Sequence, residues 1–125
     1  MKTYKEFARF DELAEKLMHD VEASCGRPVY KDCYLPKSVG FKLYKSRGRP
    51  QYVFAQIRPR EREKLCRIYS ARAWATKAGV DGTLDGILPN RWYGRDEVYW
   101  DVKTLDDERY KEIIRALGRI CQVDG

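Results

Sequence analysis

The chain has one histidine, His19, and no cysteines paired as C-x-x-C. A Ser-His-Asp or Cys-His catalytic unit needs a histidine held beside a nucleophile and an orienting acid. At about 100° per residue, His19 points away from the apolar stripe of its own helical segment and toward water. Cys25, Cys33, Cys66 and Cys121 are scattered, which argues against a zinc site of paired ligands and against a disulfide framework. Four reduced cysteines, partly buried as small apolar residues, are expected instead. No apolar run approaches the roughly 18 residues that span a bilayer. The opening segment, MKTYKEFARFDELAEK, is charged throughout and has no apolar signal region. A cytoplasmic protein without a membrane partner is the expectation. The phosphate-binding pattern G-x-x-x-x-G-K-[ST] is missing too, which disfavours nucleotide hydrolysis. No small-molecule cofactor is evident, and there is no repeat, linker or low-complexity stretch.

What is present fits one globular α+β domain over residues 1–125. Its hydrophobic content is 43% and its charged content 35%. That length can bury a core without metal or disulfide staples. Lys and Arg number 25 against 19 Asp and Glu, a net charge of +6. A basic balance favours polyanionic partners, DNA or RNA above all.

Phe7, Phe10, Leu13, Ala14, Leu17, Met18 and Val21 recur at helical spacing, and Gly26 and Pro28 end that helix. Val39, Phe41 and Leu43 alternate with polar residues, as do Val53, Ala55 and Ile57. Lys64 to Tyr69 reads as a further strand, giving a three-stranded antiparallel meander. Ala71 to Ala78 reads as a short helix stopped by Gly79, and the rest of 70–96 as a long loop. Glu97 to Val102 alternates as a fourth strand. Thr104 offers an N-cap to a closing helix whose stripe is Tyr110, Ile113, Ile114, Leu117, Ile120 and Cys121. The predicted fold is a four-stranded antiparallel sheet with the first and last helices on one face.

Three segments carry a family resemblance: Phe54-Ala55-Gln56-Ile57-Arg58-Pro59-Arg60 with Leu65 and Ile68, Trp92-Tyr93-Gly94-Arg95-Asp96 leading into Glu97-Val98, and Leu105-Asp106-Asp107. Through them, Lys42 to Ile114 resembles an uncharacterised bacterial and archaeal domain. That domain often lies C-terminal to PD-(D/E)xK-type nuclease domains, in proteins once labelled predicted transport proteins. The resemblance implies an accessory or interaction module in a nucleic-acid-processing system.

Two patterns bear on chemistry. If Val39, Phe41, Leu43, Val53, Ala55 and Ile57 face inward, Lys42, Tyr44, Tyr52, Phe54 and Arg58 share the opposite face. Lys45, Arg47 and Arg49 crowd one end of that hairpin, and Arg60, Arg62 and Lys64 the other. Single-strand binders combine such features: rings stack on bases and cations neutralise phosphates. The expected nucleic-acid-binding set is Lys42, Tyr44, Arg47, Arg49, Tyr52, Phe54, Arg58 and Arg60. Those aromatics could equally be cross-strand packing pairs or a protein-binding surface. The second pattern is Asp85 followed by Asp101-x-Lys103, which locally resembles a PD-(D/E)xK nuclease. Residues i and i+2 of a strand share a face, so Asp101 and Lys103 would point together. With Asp85 they could hold Mg²⁺ and activate water. Otherwise Asp101 and Lys103 are solvent-facing neighbours of the core residues Val98, Trp100 and Val102. Arg115 and Arg119 are expected to pair with Glu112 or Glu108. The preferred reading is a non-enzymatic basic binding module. A small Mg²⁺-dependent nuclease and a protein-interaction module are the alternatives.

Overall fold

A computed structural model describes residues 10–33, 40–44, 53–60, 65–90, 95–105 and 107–123. Helix α1 (Phe10–Cys25) is followed by β1 (Tyr30–Cys33), β2 (Phe41–Tyr44), β3 (Val53–Arg60) and β4 (Leu65–Ala71). Then come α2 (Arg72–Ala78), a 3₁₀ turn over Asp81–Thr83, β5 (Gly86–Asn90), β6 (Arg95–Val102) and α3 (Glu108–Cys121). The strands form one antiparallel sheet in the order β1-β2-β3-β4-β6-β5.

The α+β class and the antiparallel meander β2-β3-β4 stand as read from the sequence. The strand count does not: the described residues hold six strands where four were expected. Strand β1 was not foreseen. Strand β5 lies in the segment read as loop, and that segment also holds the 3₁₀ turn. Both additions are sheet edges, where a short strand needs only one neighbour to complete its ladder.

The inner face alternates as the pattern demands. Phe41, Ile57, Ile68 and Trp100 stand in one cross-strand row, all fully buried. Leu17 and Val21 of α1 and Ile113, Leu117 and Ile120 of α3 join them in a single core. Phe7 lies outside the described residues, as do the side chains of Phe10, Leu13 and Ala14. Helices α1 and α3 pack closely enough that a Cβ on Gly118 would sit 2.5 Å from the Ser24 hydroxyl. Tyr110 of α3 donates its hydroxyl to Asp20 of α1 at 2.5 Å. Burial first, and then the Asp20 carboxylate, push the tyrosine's pKa far up.

Helix ends follow local chemistry. Gly26 takes φ 70° and donates to the Glu22 carbonyl, closing α1 where the sequence placed its stop. Gly79 likewise closes α2, at φ 72°. The cap of α3 is a correction: Asp107, not Thr104, accepts from the Tyr110 amide at 2.8 Å. Thr104 serves it indirectly, donating its hydroxyl to the same carboxylate. Among the described residues, no helix is long and apolar enough to cross a membrane.

The Asp107 cap has a pH consequence. The Thr104 hydroxyl first, then the Tyr110 amide, hold its carboxyl below the usual aspartate value. A carboxyl whose folded pKa is depressed stabilises the fold above the unfolded value, and that contribution fades as pH falls through the folded one. Asp107→Ala should therefore cost about 1 kcal/mol at neutral pH. Its stability should then decline less steeply on acidification than that of wild type. Urea midpoints across an acid series check both; parallel acid limbs would contradict the assignment.

Candidate nucleic-acid interface

The opposite face of the sheet is polar and basic. One row crosses all six strands: Asp32, Lys42, Gln56, Tyr69, Tyr99 and Gly86, each directly opposite the next. Beside it runs a second row, Arg58, Arg67 and Asp101. Arg58 is exposed, while Lys42, Arg67, Tyr69 and Tyr99 are half-buried.

The centre of this face is tightly organised. Arg67 grips Asp101 through two bonds, Nε to Oδ1 at 2.7 Å and the guanidinium to Oδ2 at 3.1 Å. Such a fork is the strong form of a carboxylate pair. The same guanidinium lies 4.0 Å above the Tyr99 ring. Tyr99 leans over Gly86, where an added Cβ would meet its hydroxyl at 2.3 Å. The Asp101 hydrogen bond raises the pKa of Arg67, while the neighbouring charge of Arg60 works against it. Three arginines thus share one patch: Arg58 stands opposite Arg67 in the ladder, and the charge of Arg60 is felt by Arg67.

The aromatic half of the sequence reading needs correction. Phe54 is 1% exposed and belongs to the core, and Tyr44 is 8% exposed. Neither offers a ring to a base. The ladder between β2 and β3 shifts register after Leu43, so Tyr44 pairs with Val53 and strict alternation breaks at Phe54. Arg47, Arg49 and Tyr52 lie outside the described residues, as do Lys45, Arg62, Lys64, Trp92 and Tyr93. Lys42, Arg58 and Arg60 remain on the outer side by register. The side chains that the sequence reading missed are Gln56, Arg67, Tyr69 and Tyr99. Alternation was the available signal: with Cys66, Ile68, Val98 and Trp100 inward, Arg67, Tyr69 and Tyr99 must point outward.

Asp85 and Asp101 are near one another in the fold, and each carboxylate is engaged by other groups. The Asp85 carboxylate accepts from the Asp101 backbone N–H at 2.6 Å and from Arg109 of α3 at 2.7 Å. The Asp101 carboxylate is held by Arg67. Both acids thus join elements, and Lys103 stands exposed. Among the described residues, no group of three or more His, Cys, Asp or Glu side chains gathers to hold a metal ion. His19 is exposed and pairs with Glu15. Cys25, Cys66 and Cys121 are free thiols, all buried. Burial, helped by Asp101, pushes the Cys66 thiol far up in pKa, away from the reactive thiolate. Arg115 and Arg119 do not take the expected acids, because Glu112 pairs with Arg109 and Glu108 with Lys111.

Comparison with protein-family models, curated proteins and solved structures gave no match.

Proposed function

We propose that this chain is a non-enzymatic module that binds single-stranded nucleic acid across the outer face of its sheet. The observation that carries the reading is the convergence of Arg58, Arg60 and Arg67 beside the Tyr69–Tyr99 pair. Arg58 and Arg60 add cationic groups to the outer face beside the Arg67–Asp101 pair. Phosphate contacts made by such cations supply the affinity. Half-buried Tyr69 on the outer face supplies a ring for the sequence-tolerant stacking that a single strand needs. The net charge of +6 agrees with it.

The test is a salt titration with labelled oligonucleotides. Arg58→Ala combined with Arg60→Ala should weaken binding about tenfold or more at low salt. It should also flatten log K against log salt by roughly 0.7 for each single-strand phosphate that the variant no longer neutralises. Fold stability should largely hold, because Arg58 is exposed and neither residue belongs to the core. Tyr69→Ala should reduce single-strand binding more than duplex binding, since stacking needs unpaired base faces. Absence of wild-type binding at low salt, where attraction is least screened, would sink this reading.

A further inference from the structure

Gln56 of β3 and Tyr69 of β4 stand directly opposite each other in the central row of the outer face. Both are half-buried. Directly opposed residues of an antiparallel pair hold their Cβ atoms about 5 Å apart, so the two side chains are neighbours. Among the described residues, the Gln56 amide has no hydrogen bond and the Tyr69 ring no ring contact. The next ring along the row differs, because the Arg67 guanidinium lies 4.0 Å above Tyr99. A half-buried amide left without a protein partner carries a desolvation cost that a matching ligand edge offsets. Both side chains also line a groove of about 930 Å³ that opens where β3 begins and β4 turns into α2. A flat ring laid on Tyr69 has room there, with its edge toward the amide.

An amide presents one donor and one acceptor side by side. Adenine matches that pair on either side of its exocyclic amine, through N6–H with N7 or N6–H with N1. Guanine offers two acceptors, O6 and N7, where adenine offers N6–H and N7, so it matches on one side only. Thymine and uracil can meet an amide too, but through a smaller ring with less face to stack. Adenine alone joins a purine's stacking face to two edges that fit glutamine. We propose that Gln56 is the specificity-determining residue of the single-strand site and selects an adenine stacked on Tyr69. The inference rests on the single-strand reading and adds base selectivity to it.

The experiment compares oligothymidylate with the same strand carrying one central adenine or one central guanine. The two purines present similar stacking faces, so the difference between them reads the amide. Wild type should bind the adenine strand about tenfold more tightly than the guanine strand, as one bidentate pair allows. Gln56→Met keeps the length of the side chain and loses the amide. It should bring the two strands together while leaving oligothymidylate binding unchanged. A second arm titrates free adenosine or guanosine and follows the side-chain NH₂ resonances of Gln56 by NMR, identified by their loss in Gln56→Met. Adenosine should shift them more than guanosine does. Equal binding of the two purine strands, or a guanine preference, overturns the base reading and leaves the tracking face standing. An adenine preference that survives in Gln56→Met overturns Gln56 as its reader. Adenosine shifts without any strand binding keep the base site and overturn the tracking face. No response in either arm overturns both.

Discussion

Gly40→Ala should cost about 4 kcal/mol of fold stability. Gly40 sits at φ 141°, a conformation that L side chains rarely adopt, immediately before β2. A Cβ built there would lie 2.2 Å from the carbonyl oxygen of Ile57. That neighbour is backbone in the middle of β3, paired on both sides, and it cannot swing away. Backbone strain and forced overpacking each cost about 1–3 kcal/mol, and here they add, for an expected loss of about 4 kcal/mol. Typical domains have only about 5–15 kcal/mol to lose. Gly82→Ala is the control, since it has open space and no unusual φ. Urea denaturation followed by circular dichroism decides it; a midpoint for Gly40→Ala matching that of Gly82→Ala would be fatal to the argument.

Trp100→Ala should cost about 3–5 kcal/mol, the range for deleting a large aromatic from a core. Among the described residues the ring is the largest of the fully buried side chains, standing opposite Ile68 on the inner face. Its indole N–H also donates to the Thr83 hydroxyl at 2.9 Å, and Thr83 in turn donates to the Val80 carbonyl at 2.7 Å. The tryptophan therefore fills the centre and pins the turn that leads into β5. Trp100→Phe keeps most of the volume and loses the hydrogen bond, so it should cost less. Thermal unfolding of the two variants separates cavity from bond. Equal losses would mean that the bond, not the volume, dominates.

The sequence made the middle of this fold readable because hydrophobic period and punctuation agree there. The pattern of β2, β3 and β4, the stripe of α3 and the stops at Gly26 and Gly79 each rest on local rules that the packed structure keeps. The edges were opaque. Tyr30 to Cys33 is four residues without apolar alternation. Gly86-Ile-Leu-Pro-Asn contains the two residues that most strongly suggest a loop. Proline is tolerated in such an edge strand because one side of it needs no ladder bond. Exposure of Ile87 and Leu88 follows from the same edge position. The candidate face was legible in its charges and not in its rings. One register shift moved Phe54 into the core, and the pairing that sets Tyr69 against Tyr99 depends on β6 lying next to β4. No local pattern specifies that adjacency.

The packing of α1 against α3 also sets when this protein can fold during synthesis. Leu17 and Val21 are covered in part by residues that leave the ribosome almost a hundred positions later, Ile113 to Ile120 among them. Until then the meander has its strands but only part of its helical cover, and its inner row of Phe41, Ile57 and Ile68 faces solvent. Contacts of such long sequence separation form slowly, because the chain between them must be ordered before they repay it. Between the synthesis of Ile68 and the docking of α3 the nascent chain therefore carries an exposed apolar row, the condition in which a growing polypeptide most needs a chaperone.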